Sequence, residues 1–474
     1  MLFSSIEFLF LFLPVVWVAV QLSPSQSRLG VLLVASLVFY GWWDWRFLPL
    51  MLLSIGVNFL IGQALARENR QLLLAVGIAF NLALLGIFKY LDFGIEITNT
   101  LMGTQWRYLG LLLPLGISFF TFQQIAYLVD TNRGLTAQHR PSLGRYALFV
   151  TFFPQLIAGP IVHHREMLPQ LLELEGNGWS VKQRHLAQGL VLLCLGLFKK
   201  LVIADRLIPW IDPVFSNPAQ AEFYSAWVAT LSYTMQLYFD FSAYSDMALG
   251  IALLFGIKLP LNFNSPYKSA SIQEFWRRWH ITLGRFLRDY LYIPLGGSRH
   301  GLVRAMLALV VTMLLGGLWH GAGWQFIVWG GLHGLMLVIF LAWRQQPYRL
   351  PRGAAITITF LCVVLAWVPF RAESLADAAD IWAAMFGLHG VVVPPLWGNI
   401  IPGLANGGSS IFSFRGHEAL VIAVLVIAVL ELRNAYEISR TIRPTVRCWA
   451  RPAVAGLAAV YFIGAPSTFL YFNF

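Results

Sequence analysis

The feature that most restricts this chain is a run of 39 residues, Ala305 to Trp343, without one acidic residue, lysine or arginine. Leaving such a run in water is costly, and about 20 apolar residues are enough for a helix to cross the hydrocarbon core of a bilayer. Comparable runs recur, among them Leu72 to Phe88 and Ala419 to Leu430 with its flanks. Of the 474 residues 58% are hydrophobic and 12% charged, with a mean hydropathy of +0.67, far from the balance of a soluble domain. The expected fold is all-α: one polytopic membrane domain over residues 1–474, with about ten to twelve transmembrane helices.

The net charge of +11 does not point to nucleic acid, because the arginines collect in short segments between apolar runs. The basic segments Arg133 to Arg145, Lys199 to Arg206, Lys258 to Arg304, Arg344 to Arg352 and Arg433 to Arg451 are expected on the cytoplasmic side. Asp92 to Glu96, Asp212 to Glu222 and Glu373 to Glu418 are expected outside. Alternation fails near Leu186 to Phe198, which reads as a re-entrant or interfacial helix. The opening MLFSSIEFLFLFLPVVWVAVQL has no basic n-region or small-residue cleavage pattern, so it reads as a retained first span with its amino terminus outward. The three cysteines, Cys194, Cys362 and Cys448, lie far apart, which indicates neither a disulfide framework nor a zinc site, and no metal is expected. No internal repeat or Walker-type phosphate loop is found.

The window SIQEFWRRWHITLGRFLRDYLYIPLGGSR, residues 271 to 299, is strongly amphipathic. At 100° per residue, Glu274, Arg277, Arg278, Arg285, Arg288 and Asp289 share one arc of about 120°. His280 falls on the opposite, apolar side with Trp276, Trp279, Leu283 and Leu287. The expected element is a helix along the cytoplasmic interface, its arginines facing lipid headgroups or a phosphate-bearing substrate. His280 reads either as a core histidine bonded to backbone or as a functional group, since ionisable residues turned toward the membrane interior are costly.

His320, in GGLWHGAGW, interrupts the long uncharged run. Ala305 to Trp319 supplies 15 residues, short of a crossing, whereas Gly321 to Trp343 supplies 23, which places His320 within the membrane's depth. Gly316, Gly317, Gly321 and Gly323 permit a break or close packing there, tolerated at depth only against protein or a water-filled cavity. A neutral imidazole in such a cavity is suited to take a proton from a hydroxyl and return it to a leaving group. The alternative is a histidine that ties two helices together by hydrogen bonds. His333, in WGGLHG, reads as a packing or supporting residue. Asp240 and Asp246 in MQLYFDFSAYSDMALG are likewise expensive in an apolar stretch and require partners, for which Ser242, Tyr244 and Ser245 are local candidates. A buried brace between helices is as good a reading of them as direct chemistry.

These stretches, with LLPLGISFFTFQQIAYLVD and FFPQLIAGPIV, resemble the membrane-bound O-acyltransferase family, specifically its bacterial alginate-acetylation branch, over nearly the whole chain. The resemblance implies that His320 of GLWHG is the catalytic residue and His280 of RRWH the second polar position, with Asp240, Asp246 and Tyr244 as supporting polar residues. It implies re-entrant and interfacial helices around a central funnel or tunnel. It further implies no permanently bound cofactor, acetyl-CoA as donor, a bacterial inner-membrane location, and a periplasmic SGNH-type acetyltransferase partner acting on an exopolysaccharide such as alginate or cellulose. Gly284 stands where a serine is common in the motif, and the chain is somewhat shorter at its carboxyl end, which leaves the acceptor open. Two other readings are D-alanyl transfer from a carrier protein to a wall polymer, and a transporter whose pathway is marked by Asp240, Asp246, His280 and His320.

Overall fold

A computed structural model describes residues 1–68, 70–136, 140–176, 179–400, 411–441, 446–464 and 470. Parts of the expected 133–145, 373–418 and 433–451 segments, and the side chain of Cys448, lie outside the described residues. The described residues are helical with no strand, in agreement with the all-α polytopic expectation. Among the described residues, six helices are long and apolar enough to cross a membrane, or seven if the pair His417–Glu431 and Ala435–Thr441, bent by 52°, is one span. Other apolar segments form shorter helices, such as Glu7–Leu22 and Pro452–Tyr461.

The chain divides into two compact units. One comprises Met1–Phe198, Ala243–Asn262 and Ala435–Phe472; the other comprises Lys199–Ser242, Phe263–Asn434 and Asn473–Phe474. The helix Phe223–Leu254 contributes its first part to the second unit and its last turns to the first.

In the first unit, the helix Ile117–Asn132 is buried on nearly every side. A helix apolar all round suits such a place, but this one carries Gln123 and Gln124, whose amides need partners. Gln124 donates to Ser54 Oγ at 2.9 Å and accepts from Tyr146 Oη at 3.3 Å, and Gln123 donates to the Phe149 carbonyl at 2.8 Å. Asn58 and Asn81 pair in the same way across two helices. The opening residues join an aromatic cluster in which Phe3, Phe8, Phe12, Phe39 and Phe153 pack ring against ring.

In the second unit, the 39-residue uncharged run folds as two helices, Leu302–His320 and Trp324–Trp343. A Cβ on Gly317 would collide with the Phe326 carbonyl and one on Gly330 with the Met313 carbonyl, while one on Gly334 would lie 3.2 Å from Val310 Cα. The pairings 317 with 326, 313 with 330 and 310 with 334 define an antiparallel hairpin whose backbones touch. Without lipid-excluding hydrophobic force between helices, such close contact is what holds membrane helices together.

The hairpin corrects the unequal split read from the sequence. Its arms are 19 and 20 residues long, each enough to cross, and His320 is the last residue of the first arm. Its protection therefore comes from packing, with 3% of its surface exposed, and not from a short lead-in segment. A second correction concerns residues 183–215. The helix Gln183–Phe198 runs on through Lys199–Ile203, and the stretch Gln183–Phe215 is one apolar candidate span by length and composition, rather than a short helix followed by a basic loop. Lys199 and Lys200 are carried inside it because both are partnered, as described below.

Candidate active site

His280 occupies a position no helical wheel would give it. The amphipathic window is not one helix: Ile272–Arg278 ends at an extended Trp279, His280 takes left-handed backbone angles (φ 42°, ψ 53°), and Ile281–Leu287 begins anew. The expected polar and apolar sides survive the break, with Phe275, Trp279, Leu283 and Leu287 buried and Arg277 and Arg288 exposed. Left-handed angles at a residue with a Cβ cost on the order of 1–3 kcal/mol and persist only where the surroundings impose them. Here the Asn264 amide donates to the Arg278 carbonyl at 2.9 Å, and Arg278 Nη1 returns a bond to the Asn264 carbonyl at 3.2 Å. Asn434 secures the same strand of chain through Asn264 Oδ1 and Ser265 Oγ. The result is a fully buried imidazole packed edge-on to Phe241 at 4.8 Å.

His280 and His320 both pack against one indole, that of Trp319. The Trp319 ring lies 6.2 Å from the His280 ring and 4.9 Å from that of His320. His320 is also walled by Trp329 at 4.9 Å and Phe370 at 5.2 Å. Trp329 in turn packs against His333 at 4.8 Å, and His333 lies in a box of Phe275, Trp276, Trp329 and Trp367. His333 is wholly buried and neither ring nitrogen has a hydrogen-bond partner among the described residues; the same holds for the indole Nε1 of Trp329. Rings of this size exclude water and make a low-dielectric wall, inside which any charge or polar contact formed during a reaction is strengthened.

Asp240 is braced by Lys200, whose ammonium lies 2.8 Å from its carboxylate and 2.6 Å from that of Asp205. All three side chains are at most 8% exposed. Lys199 is held over the Tyr238 ring, 5.6 Å from its centroid. The cation beside Asp240 comes from Lys200, some forty positions earlier, which the local sequence around Asp240 does not reveal. Tyr244 and Asp246 belong to the other unit, where both are buried and Tyr244 stacks on Phe3 at 4.6 Å. Tyr244 is thereby a packing element of the amino-terminal cluster. Sequence reading missed Lys200, Trp319, Trp329 and Phe370. The one signal for the tryptophans was their position in the same two motifs as His320 and His333.

Residues 136–368 match the model of the membrane-bound O-acyltransferase family. The chain is 44% identical over 427 residues to the peptidoglycan O-acetyltransferase of Helicobacter pylori, covering 82% of this chain and 81% of that protein. It is 41% identical over 448 residues to a protein of Azotobacter vinelandii named probable alginate O-acetylase, covering 92% and 86%. The teichoic acid D-alanyltransferase of Bacillus subtilis is 27% identical over 268 residues, covering 54% and 67%. On its motifs, its apolar helices and these likenesses, the chain belongs to the membrane-bound O-acyltransferase family and is a multi-pass membrane O-acyltransferase.

Proposed function

We propose that this protein moves an acetyl group from cytoplasmic acetyl-CoA across the bacterial inner membrane, for O-acetylation of an extracellular polysaccharide, with His320 as the base. The observation that supports the reading is the placement of two buried imidazoles, His320 and His280, both against Trp319 in a wall of aromatic rings. A neutral imidazole of His320 takes the proton of an acceptor hydroxyl as its oxygen attacks the thioester carbonyl. The C–O bond forms, a tetrahedral oxyanion collapses, the C–S bond breaks, and the imidazolium returns its proton to the departing thiolate. His280 polarises or positions the reacting groups, and the Trp329 Nε1–H is a candidate donor to the oxyanion. Tyr244 and Asp246 support the fold in this reading, and Asp240 is held by Lys200 as a brace.

The acetyl group is favoured over D-alanine because the relatives named for acetylation match over most of the chain, whereas the D-alanyltransferase matches over about half of it. Those names also support a polymer as the final acceptor: alginate, cellulose, another exopolysaccharide or peptidoglycan. A periplasmic SGNH-type partner would complete the transfer. The test is His320→Ala in cells, with ester acetate on the exported polymer and polymer yield scored separately. Acetate should be lost and yield kept; unchanged acetate overturns the role of His320. Labelled acetyl-CoA and an acylated carrier protein offered to the purified protein decide the donor.

A further inference from the structure

Three stretches far apart in sequence bring basic side chains to one cavity of the first unit, three of them cationic: Arg184, Lys258 and Arg440. Arg184 and His185 come from the start of the helix Gln183–Phe198, Lys258 from the turn after Phe223–Leu254, and Arg440 from Ala435–Thr441. The cavity measures about 350 Å³, and no carboxylate is among the described residues that line it. Its inner wall is leucine: Leu192, Leu249, Leu253 and Leu259, part of a buried cluster with Ala435.

The cations are not loosely arrayed. The backbone at Lys258 is clamped by Gln170, whose amide accepts from the Lys258 N–H at 2.8 Å and donates to its carbonyl at 3.0 Å. The Arg440 guanidinium lies over the Tyr436 ring, 5.9 Å from its centroid. Like charges gathered this way repel one another, and an anion among them relieves the repulsion. The leucine wall adds a second requirement, since a free phosphate or nucleotide leaves it against water, whereas an acyl chain covers it. Two of the contributing segments, around Lys258 and Arg440, are those whose basic character assigns them to the cytoplasmic side, where anionic lipid headgroups meet basic pockets between helices.

We propose that this cavity binds one anionic phospholipid, its phosphate between Arg184, Lys258 and Arg440 and its first methylenes along Leu192, Leu249 and Leu253. The site is independent of the acyl-transfer chemistry. Native mass spectrometry of the detergent-purified protein tests it, with dioleoyl-phosphatidylglycerol as ligand, dioleoyl-phosphatidylcholine as the zwitterionic control and adenosine 3′,5′-bisphosphate as the free-phosphate competitor. Phosphatidylglycerol should be retained in preference to phosphatidylcholine. Its binding should weaken roughly tenfold or more in both Arg184→Ala/Arg440→Ala and Lys258→Glu, with elution profile and thermal unfolding unchanged in at least one of the two. Equal retention of the two lipids overturns the proposal, as does undiminished phosphatidylglycerol binding in a folded variant. So does an outcome in which the bisphosphate binds through these cations and the lipid does not, which would assign the cavity to a soluble phosphate compound.

Discussion

Two groups of buried histidines in this protein sit in contrasting surroundings. His280, His320 and His333, in the second unit, are packed against the rings of Phe241, Phe275, Trp276, Trp319, Trp329, Trp367 and Phe370. His163 and His164, in the first unit, both place Nδ1 at 3.6 Å from one carboxylate oxygen of Asp130, with Arg133 at 3.9 Å from the other. These contacts become ion pairs only when an imidazole is protonated, and they bring the end of the helix Ile117–Asn132 together with the start of His164–Glu175. The contrast in what surrounds these buried histidines can be tested for its bearing on the chemistry.

Exchanging the two groups' fates by mutation is the most direct way to break this contrast. His320→Ala should lower acyl transfer by about 10²- to 10⁴-fold with thermal unfolding in detergent little changed. His164→Ala should do the reverse, lowering stability by about 1–3 kcal/mol while activity per folded molecule is kept. Loss of activity in folded His164→Ala would erase the distinction.

Next in size is the brace beside the aromatic wall. Lys200→Met leaves the Asp205 and Asp240 carboxylates buried without their cation and should cost about 3–5 kcal/mol, read as a fall in unfolding temperature. The additional change Asp240→Asn should recover part of that loss. If Asp240 acts in the chemistry instead, the double variant will be stable and inactive.

Gly330→Ala should open the hairpin that presents His320, at a cost of about 1–3 kcal/mol, since the new Cβ meets the Met313 carbonyl. Trp329→Phe keeps an aromatic side chain but removes the indole N–H together with its five-membered ring. A fall in rate of about tenfold or more without a change in unfolding temperature supports the N–H as an oxyanion donor; an unchanged rate reduces Trp329 to packing.

The smallest effect is on pH. Burial lowers the His164 imidazole from 6.5 to about 4, although the nearby Asp130 carboxylate pulls the other way. The unfolded chain then binds the proton more readily than the folded one, so stability is full above pH 6.5 and declines as pH falls toward about 4. His164→Asn should flatten that part of the stability profile; an unaltered profile would assign the decline to other groups.

Much of this architecture is legible without coordinates because its causes are local. An uncharged run of 39 residues must be buried in protein or lipid wherever it lies, and the polar and apolar sides of residues 271–299 follow from spacing alone. The same reasoning failed where a distant segment intervenes. Periodicity predicts one helix through His280, but the strap from Asn264 and Asn434 makes a left-handed residue affordable there. Counting residues on either side of His320 gave 15 and 23 because it could not see that Leu302, Val303 and Arg304 join the helix, which makes each arm a full span. The basic pair Lys199 and Lys200 reads as a loop until their partners are known.

Residue types and their spacing were enough to establish an all-helical membrane protein and to mark His320 and His280 as inward-facing. These properties depend on residue type and near-neighbour spacing, and transfer free energies read them directly. Tertiary contacts alone place Lys200 beside Asp240, Tyr244 on Phe3, and both histidines against one tryptophan ring. Each of those joins residues distant in sequence. The energy of a buried ion pair or ring contact depends on a separation of a few ångströms that spacing along the chain does not encode.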